Sequence, residues 1–182
     1  MVWKCYGDKV VETGIEDIKE GDYVLSQHDD GQIKPELVVI KDKHEGESQI
    51  FNFTLSNGAR ISVTGNHGML VYNEEDRYSP TKREQLVYAH DVKVGMKFRH
   101  YHRANDSEAS IELVEVVAID EDKSNEVYNV AGYHFNIIAN NMVVSSHGED
   151  TKNVPELVFS LGKFIHQWVG VKASRKYYRA FD

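Results

Sequence analysis

The chain has 182 residues, 41% of them hydrophobic and 27% charged, and its formal net charge is −8 at pH 7. These values are ordinary for a globular protein of one domain, or of one domain with an extension. The negative charge argues against nucleic-acid binding, which needs a basic face, and no apolar run reaches the ~18–20 residues of a membrane-spanning helix. No stretch has the pattern of a signal peptide, so the compartment stays open.

The first third of the chain predicts short strands separated by turns. The Asp30-Gly31 pair is typical of a hairpin turn, and so is the Asn57-Gly58 pair. Apolar and polar residues alternate on both sides of Asn57-Gly58, which makes this the strongest hairpin signal in the chain. The strands predicted in this part occupy residues 10–14, 23–26, 36–41, 50–55 and 60–64.

A segment in the middle of the chain repeats an earlier one. Ile18 stands three positions before Gly21, Val92 stands three positions before Gly95, and a strand pattern follows each glycine. This repeat indicates an internal duplication. Beyond these elements the sequence predicts polar loops at 73–83 and 103–110, and strands at 111–119, 127–130 and 135–144.

The pattern changes at Val154, where apolar residues fall at helical spacing and Pro155 suits the first turn. We predict an amphipathic helix of about three or four turns. An aromatic and basic tail follows from Trp168, and it is either a frayed end or a segment that binds a lipid surface, a partner or an acceptor. The whole chain predicts an all-β fold of about twelve short strands plus a C-terminal helix, closed or sandwiched.

Cys5 is the only cysteine of the chain and stands just before the first predicted strand. A single cysteine makes no internal disulfide, so Cys5 is either an inert, buried small side chain or a reactive thiol. Thr64 and His67 stand at the end of a predicted strand, where they either stabilise the turn or take part in chemistry. The histidines lack metal-ligand spacing and no glycine-rich phosphate loop occurs, so no metal or cofactor is predicted.

Four short motifs follow Cys5 along the chain. They are Ile18-x-x-Gly21-Asp22-x-Val24-Leu25, Leu55-x-x-Gly58-x-x-Ile61-x-Val63-Thr64-x-x-His67, Ala89-x-Asp91-Val92-x-Val94-Gly95, and Val127-Tyr128-Asn129-Val130 followed by His134-x-Asn136-x-x-Ala139-Asn140. In this order the set resembles the Hint domain, the module shared by hedgehog autoprocessing domains and inteins. The resemblance covers residues 5–147 and leaves 148–182 as a helical extension. It implies a horseshoe-like β fold with pseudo-two-fold symmetry.

The resemblance also implies that the domain cleaves its own chain. The Cys5 thiol would attack the carbonyl carbon of Lys4 in an N→S acyl shift, which converts the peptide bond to a thioester. His67 would protonate the departing nitrogen, a task that suits an imidazole with a pKa of about 6.5. Thr64 would hold the geometry of this peptide, and His134 would help to position it.

Three departures from the family pattern limit this expectation. Inteins end in a His-Asn pair, whereas the aligned end of this sequence reads Ser145-Ser146-His147, so protein splicing is not expected. Asn129 stands where the family has an acid, and Lys4 stands where hedgehog domains have glycine. Cleavage before Cys5 alone is therefore the expected reaction.

The expected partners follow from that reaction. The substrate is a covalently attached upstream segment, the acyl acceptor is water or a small nucleophile, and the domain is expected to act as a monomer. Hedgehog domains use an early Asp to activate a sterol hydroxyl, so Asp42 or His44 is a candidate for activating the acceptor. The alternative for these two residues is a solvated strand end. The alternative for the whole chain is a catalytically inactive Hint-fold binding module.

Overall fold

Twelve β-strands and two short 3-10 helices make up the part of the chain that the computed structural model describes, residues 1–28, 31–72, 84–103, 109–132 and 136–145. The predicted all-β class and strand number are confirmed. No helix in these ranges is long and apolar enough to span a membrane. The strands are β1 (Val2–Tyr6), β2 (Lys9–Thr13), β3 (Tyr23–Gln27), β4 (Ile33–Leu37), β5 (Ile40–Leu55), β6 (Arg60–Thr64), β7 (Gly68–Tyr72), β8 (Glu84–Tyr88), β9 (Lys97–Arg103), β10 (Ala109–Ala131), β11 (Asn136–Ala139) and β12 (Met142–Ser145).

The strands form one antiparallel sheet, and the prediction of a closed or sandwiched arrangement is wrong. The main path runs β4-β3-β1-β11-β12-β9-β10-β5-β6, with β2 on β1 and β7 on both β8 and β9. The first part of β10 pairs with β9 and the rest pairs with β5. The two end strands of the path, β4 and β6, do not pair with each other, so the sheet is open. The sheet folds back over a shared core, since Val24 of β3 and Ile61 of β6 pack in the same cluster.

Two strands are much longer than the sequence predicts. The predicted strands at 111–119 and 127–130 are one strand of 23 residues, β10, whose ladder with β5 shifts register near Val116 and near Ser124. Such bulges let a strand bend without ending. In contrast, the predicted strand at 36–41 is divided, because the Val38 N–H donates to the Asp22 carbonyl between the end of β4 and the start of β5.

The two segments that repeat in the sequence form the same local structure. The 3-10 helices Ile15–Asp17 and Ala89–Asp91 are each followed, in the same spacing, by a glycine with positive φ: 92° at Gly21 and 93° at Gly95. The Gly21 and Gly95 N–H groups donate to Val38 and Val116 respectively, both with N···O distances of 2.9 Å. The two halves therefore use the same corner to turn into a strand.

The sheet buries apolar side chains on both faces. Val24 and Ile137 belong to the larger cluster, whereas Leu25 and Ile138, the next residues along their strands, belong to a smaller one. This alternation is expected of strands with two covered faces. Cys5 lies in the smaller cluster, so it faces away from the main core.

Three predictions fall outside the residues that the structure describes. They are the role of His134, the C-terminal helix that begins near Val154, and the domain division between 5–147 and 148–182. They remain predictions.

Candidate functional site

Cys5 lies inside β1, and the prediction that it precedes the first strand is wrong. It pairs with Val10 of β2 on one side and with Tyr23 of β3 on the other, and it is 9% exposed. The sequence missed β1 because its alternation is short and Lys4 interrupts the apolar residues. Gly7, with a φ of 59°, makes the turn into β2. The Lys4–Cys5 peptide is therefore enclosed by ladders on both sides.

Residues before Cys5 are part of the sheet. Val2 is 1% exposed and pairs with both Thr13 of β2 and Ala139 of β11. The Lys4 ammonium lies 2.7 Å from Asp22 Oδ2, and both side chains are mostly buried. The hydrogen bond to Asp22 raises the pKa of Lys4 above its ordinary value. The peptide on the acyl side of Cys5 is thus held by backbone and side-chain contacts.

Thr64 and His67 are brought together in the turn between β6 and β7. The His67 N–H donates to the Thr64 carbonyl (N···O 2.9 Å), and the Ala89 N–H donates to the His67 carbonyl (2.9 Å). Gly65 allows the turn to pass close to the core, since a Cβ there would lie 2.9 Å from the Phe51 ring. The His67 side chain is half-buried, and its Nε2 is shielded from solvent.

His90 holds this turn, and sequence reasoning missed it. The Gly65 carbonyl accepts from the His90 backbone N–H (3.0 Å) and lies 2.7 Å from the ring Nδ1. Because a carbonyl oxygen only accepts, Nδ1 carries a proton in this contact. The ring also stacks on Tyr88, with centroids 5.4 Å apart. His90 is the middle residue of the Ala89-x-Asp91 motif, and that motif is the sequence signal from which its role could have been predicted.

Asp42 and His44 lie on a largely exposed two-stranded ribbon, here called the arm, formed by residues 42–49 of β5 and 122–129 of β10. Asp42 pairs with Asn129 and His44 with Val127. Gln49 is the residue of β5 that bonds to the Thr64–His67 turn, and Asp42 lies seven positions from it. That separation is roughly 24 Å along an extended strand. The structure therefore groups Asp42 with His44, and places this pair away from the turn.

The predicted site residues that the structure describes lie on three parts of the sheet. Cys5 lies in the smaller apolar cluster, Thr64 and His67 form the β6–β7 turn, and Asp42 and His44 lie on the arm. β7 connects the first two groups, because it begins one residue after His67 and its Leu70 packs against the Cys5 cluster. No group of three or more metal-ligating side chains occurs within the residues described.

Comparisons with known proteins identify the family. The profile of the Hint module matches residues 7–179. The TvoVMA intein has a similar structure at 25% identity, with a TM-score of 0.55 over 70% of this chain and 71% of that one. No curated protein matches the sequence.

Two smaller inteins cover more of the chain. The DnaX mini-intein from Spirulina platensis matches at 19% identity with a TM-score of 0.58, over 79% of this chain and 95% of its own. An Ssp DnaB mini-intein variant matches at 17% identity with a TM-score of 0.61, over 79% of this chain and 88% of its own. At these identities the likeness shows the fold alone. With the family match, it establishes that the chain belongs to the Hint module family and has an intein-like fold.

Proposed function

We propose that this Hint module processes its own chain by cleaving the Lys4–Cys5 peptide bond, with Cys5 as the nucleophile. Membership of the Hint family supports a self-processing domain in general. The observation that carries the finer proposal is that the only thiol of the chain adjoins a peptide fixed on both sides. Asp22 holds Lys4, and the ladders of β2 and β3 hold Cys5. Holding a peptide bond beside a nucleophile removes much of the entropic cost of bringing the two reacting atoms together.

The proposed reaction is an N→S acyl shift followed by release of the upstream segment. The Cys5 sulfur attacks the Lys4 carbonyl carbon, the carbon–nitrogen bond breaks, and the nitrogen takes a proton from His67 while the thiol proton passes to solvent or a base. The products are a thioester at Cys5 and its free amine. Water or a small nucleophile then attacks the thioester and releases an upstream segment that ends at Lys4. We assign Thr64 and His134 to positioning. Asp42 and His44 lie on the arm, away from the Thr64–His67 turn, so the acceptor-activating role expected of them is not part of the proposed reaction.

A second candidate function is a Hint-fold binding module that does not cleave. The observation that favours it is the position of Val2, which is 1% exposed and contributes to the main core. Cleavage after Lys4 separates this core residue from the rest of the domain. A module that uses residues 1–4 as a permanent strand would keep them attached.

One experiment separates the two candidates. A precursor with a reporter domain fused ahead of Met1 is incubated with excess thiol or hydroxylamine, and its products are weighed by mass spectrometry. Self-processing predicts a fragment ending at Lys4, as the acid or the hydroxamate, that is absent in Cys5→Ala and strongly reduced in His67→Ala. His102→Ala, which removes an exposed histidine of β9, is the matched control and should cleave normally. The same fragment from Cys5→Ala excludes Cys5 as nucleophile, and an intact wild-type precursor selects the binding module.

A further inference from the structure

We propose that Asn140 and Asn141, at the turn between β11 and β12, are positioning residues that hold the upstream segment where it enters β1. This two-residue turn is called the clasp below. The proposal rests on the proposed self-processing function, since it concerns the acyl side of the Lys4–Cys5 bond. The contact itself is measurable without cleavage.

The backbone of the clasp is a tight hairpin turn. Ala139 pairs with Met142, and the two residues between them have φ values of 46° and 63°. A two-residue hairpin with both φ values positive is a type I′ turn, for which Asn-Gly is a favoured pair. Glycine would satisfy the backbone at Asn141, so the turn alone does not require the second asparagine side chain.

Asn140 makes hydrogen bonds to both the carbonyl oxygen and the nitrogen of Met1. Its N–H donates to the Met1 carbonyl (2.8 Å), and its Oδ1 accepts from the Met1 nitrogen (2.6 Å). Its Nδ2 donates to the carbonyl of Arg60, the first residue of β6 (3.0 Å). In a precursor Met1 carries a single peptide N–H in place of the ammonium, and the proposal assigns that N–H to the same Oδ1 acceptor.

Asn141 bonds to the side chain of Trp3. Its Oδ1 accepts from the indole Nε1–H (2.7 Å), and its own carbonyl accepts from the Tyr101 N–H of β9 (2.5 Å). Trp3 packs against the cluster that contains Cys5. The clasp thus holds Met1 by its main chain and Trp3 by its side chain, while the ladder to Ala139 holds Val2 between them.

These contacts fix the direction from which an upstream segment reaches the scissile bond. Cys5, on the amine side, is held by β2 and β3. On the acyl side, Val2 and Trp3 pair with β2 and Val2 also pairs with β11, and the clasp adds the contacts to Met1 and to the Trp3 side chain. Losing the clasp lets the acyl side move relative to the thiol, and misalignment of reacting groups is costly for reactions of this kind. The clasp residues touch neither reacting atom, so they act through position alone.

The test uses glycine variants, because glycine keeps the positive φ values and removes only the side-chain contacts. Asn141→Gly is made in the full chain, and solvent exchange of the Trp3 indole N–H is followed by NMR. The chain has two tryptophans, so Trp3→Phe assigns the signal against Trp168. We expect the Trp3 exchange rate to rise about tenfold, the factor of one ordinary hydrogen bond.

The same variants are then made in the reporter precursor. Asn140→Gly and Asn141→Gly should each slow cleavage after Lys4 by about tenfold. The matched control is Asn125→Gly, which removes an exposed asparagine side chain from the arm and should leave the rate unchanged. Hydrogen exchange of residues 1–3 in all variants reports whether the segment is released.

The outcomes distinguish the two proposals. Unchanged exchange of the Trp3 indole and of residues 1–3 in both clasp variants overturns the clasp, whatever happens to cleavage. Faster exchange with wild-type cleavage rates also overturns its positioning role. A wild-type precursor that stays intact while the clasp variants release residues 1–3 overturns the proposed cleavage and leaves the clasp as an anchor of β1.

Discussion

Lys4 Nζ and Asp22 Oδ2 lie 2.7 Å apart and tie the residue before Cys5 to the start of β3. Asp22 Oδ2 also accepts from the Lys19 N–H (2.8 Å), and this second hydrogen bond holds the carboxylate in position for the Lys4 ammonium. The pair is mostly shielded from water, which distinguishes it from the ion pairs on the arm. Those join exposed side chains, such as Lys123 and Glu47, and pairs of that kind contribute little.

Asp22→Asn should destabilise the domain by about 1–2 kcal/mol, because it removes the charge from a partly buried hydrogen bond. The raised pKa of Lys4 fixes the sign of the pH effect. The contribution is complete below the ordinary lysine pKa of 10.5 and is lost as the pH rises through the folded-state pKa. Urea unfolding from about pH 9 to about pH 12 should therefore show a steeper alkaline loss for wild type than for Asp22→Asn. Equal slopes would contradict this account.

His90→Ala should loosen the turn that carries Thr64 and His67. The substitution removes the ring contact to the Gly65 carbonyl but leaves the backbone bond, so a loss of about 1 kcal/mol is expected. Amide exchange at residues 64–67 should accelerate, and precursor cleavage should slow if His67 acts as proposed. His102→Ala is again the control. Normal exchange in the His90 variant would show that the 3-10 helix backbone holds the turn unaided.

Gly65→Ala should cost about 1–3 kcal/mol, because its Cβ would lie 2.9 Å from the Phe51 ring. The glycine is required by this close approach. Adding Phe51→Leu removes the obstructing ring atoms, so the double variant should lose less than the sum of the single losses. Chemical unfolding of the four proteins measures this coupling, and strictly additive losses would contradict the proposed clash.

His100 should make the domain sensitive to mild acid. The residue is 6% exposed, and burial lowers the pKa of its imidazole, although Glu112 Oε1 lies 3.3 Å from its Nδ1. A depressed folded pKa means that stability is complete above the ordinary value of 6.5 and is lost as the pH falls below it. His100→Gln should flatten the stability profile between pH 7 and 5. A parallel profile for the variant would exclude His100 as the cause.

Local sequence signals predicted those parts of the fold that depend on neighbouring residues. The β5–β6 hairpin was predicted because Asn57-Gly58 suits its turn, and the internal repeat because Gly21 and Gly95 mark the same corner. The length of β10 was missed because the polar residues after Ile119 look like a loop. They lie on the exposed arm, where neither face of the ribbon needs apolar side chains.

In the candidate site, too, contacts between residues close in sequence were predicted and contacts between distant residues were missed. Thr64 and His67 were predicted to share a turn, and they do, because they are close in sequence. The contacts of Asp22 with Lys4 and of Asn141 with Trp3 were missed, since they depend on how distant strands meet. No short pattern in the sequence contains that information.

The hydrogen bond between Trp3 and Asn141 joins residues 138 positions apart. The ribosome synthesises the chain from its amino terminus. β1 therefore emerges long before Asn141, whose side chain accepts the hydrogen bond of the Trp3 indole. Until the β11–β12 hairpin has been made, Val2 lacks its Ala139 neighbour and Trp3 lacks its acceptor. Any chemistry that depends on a correctly paired β1 is therefore delayed until nearly the whole sheet has been synthesised.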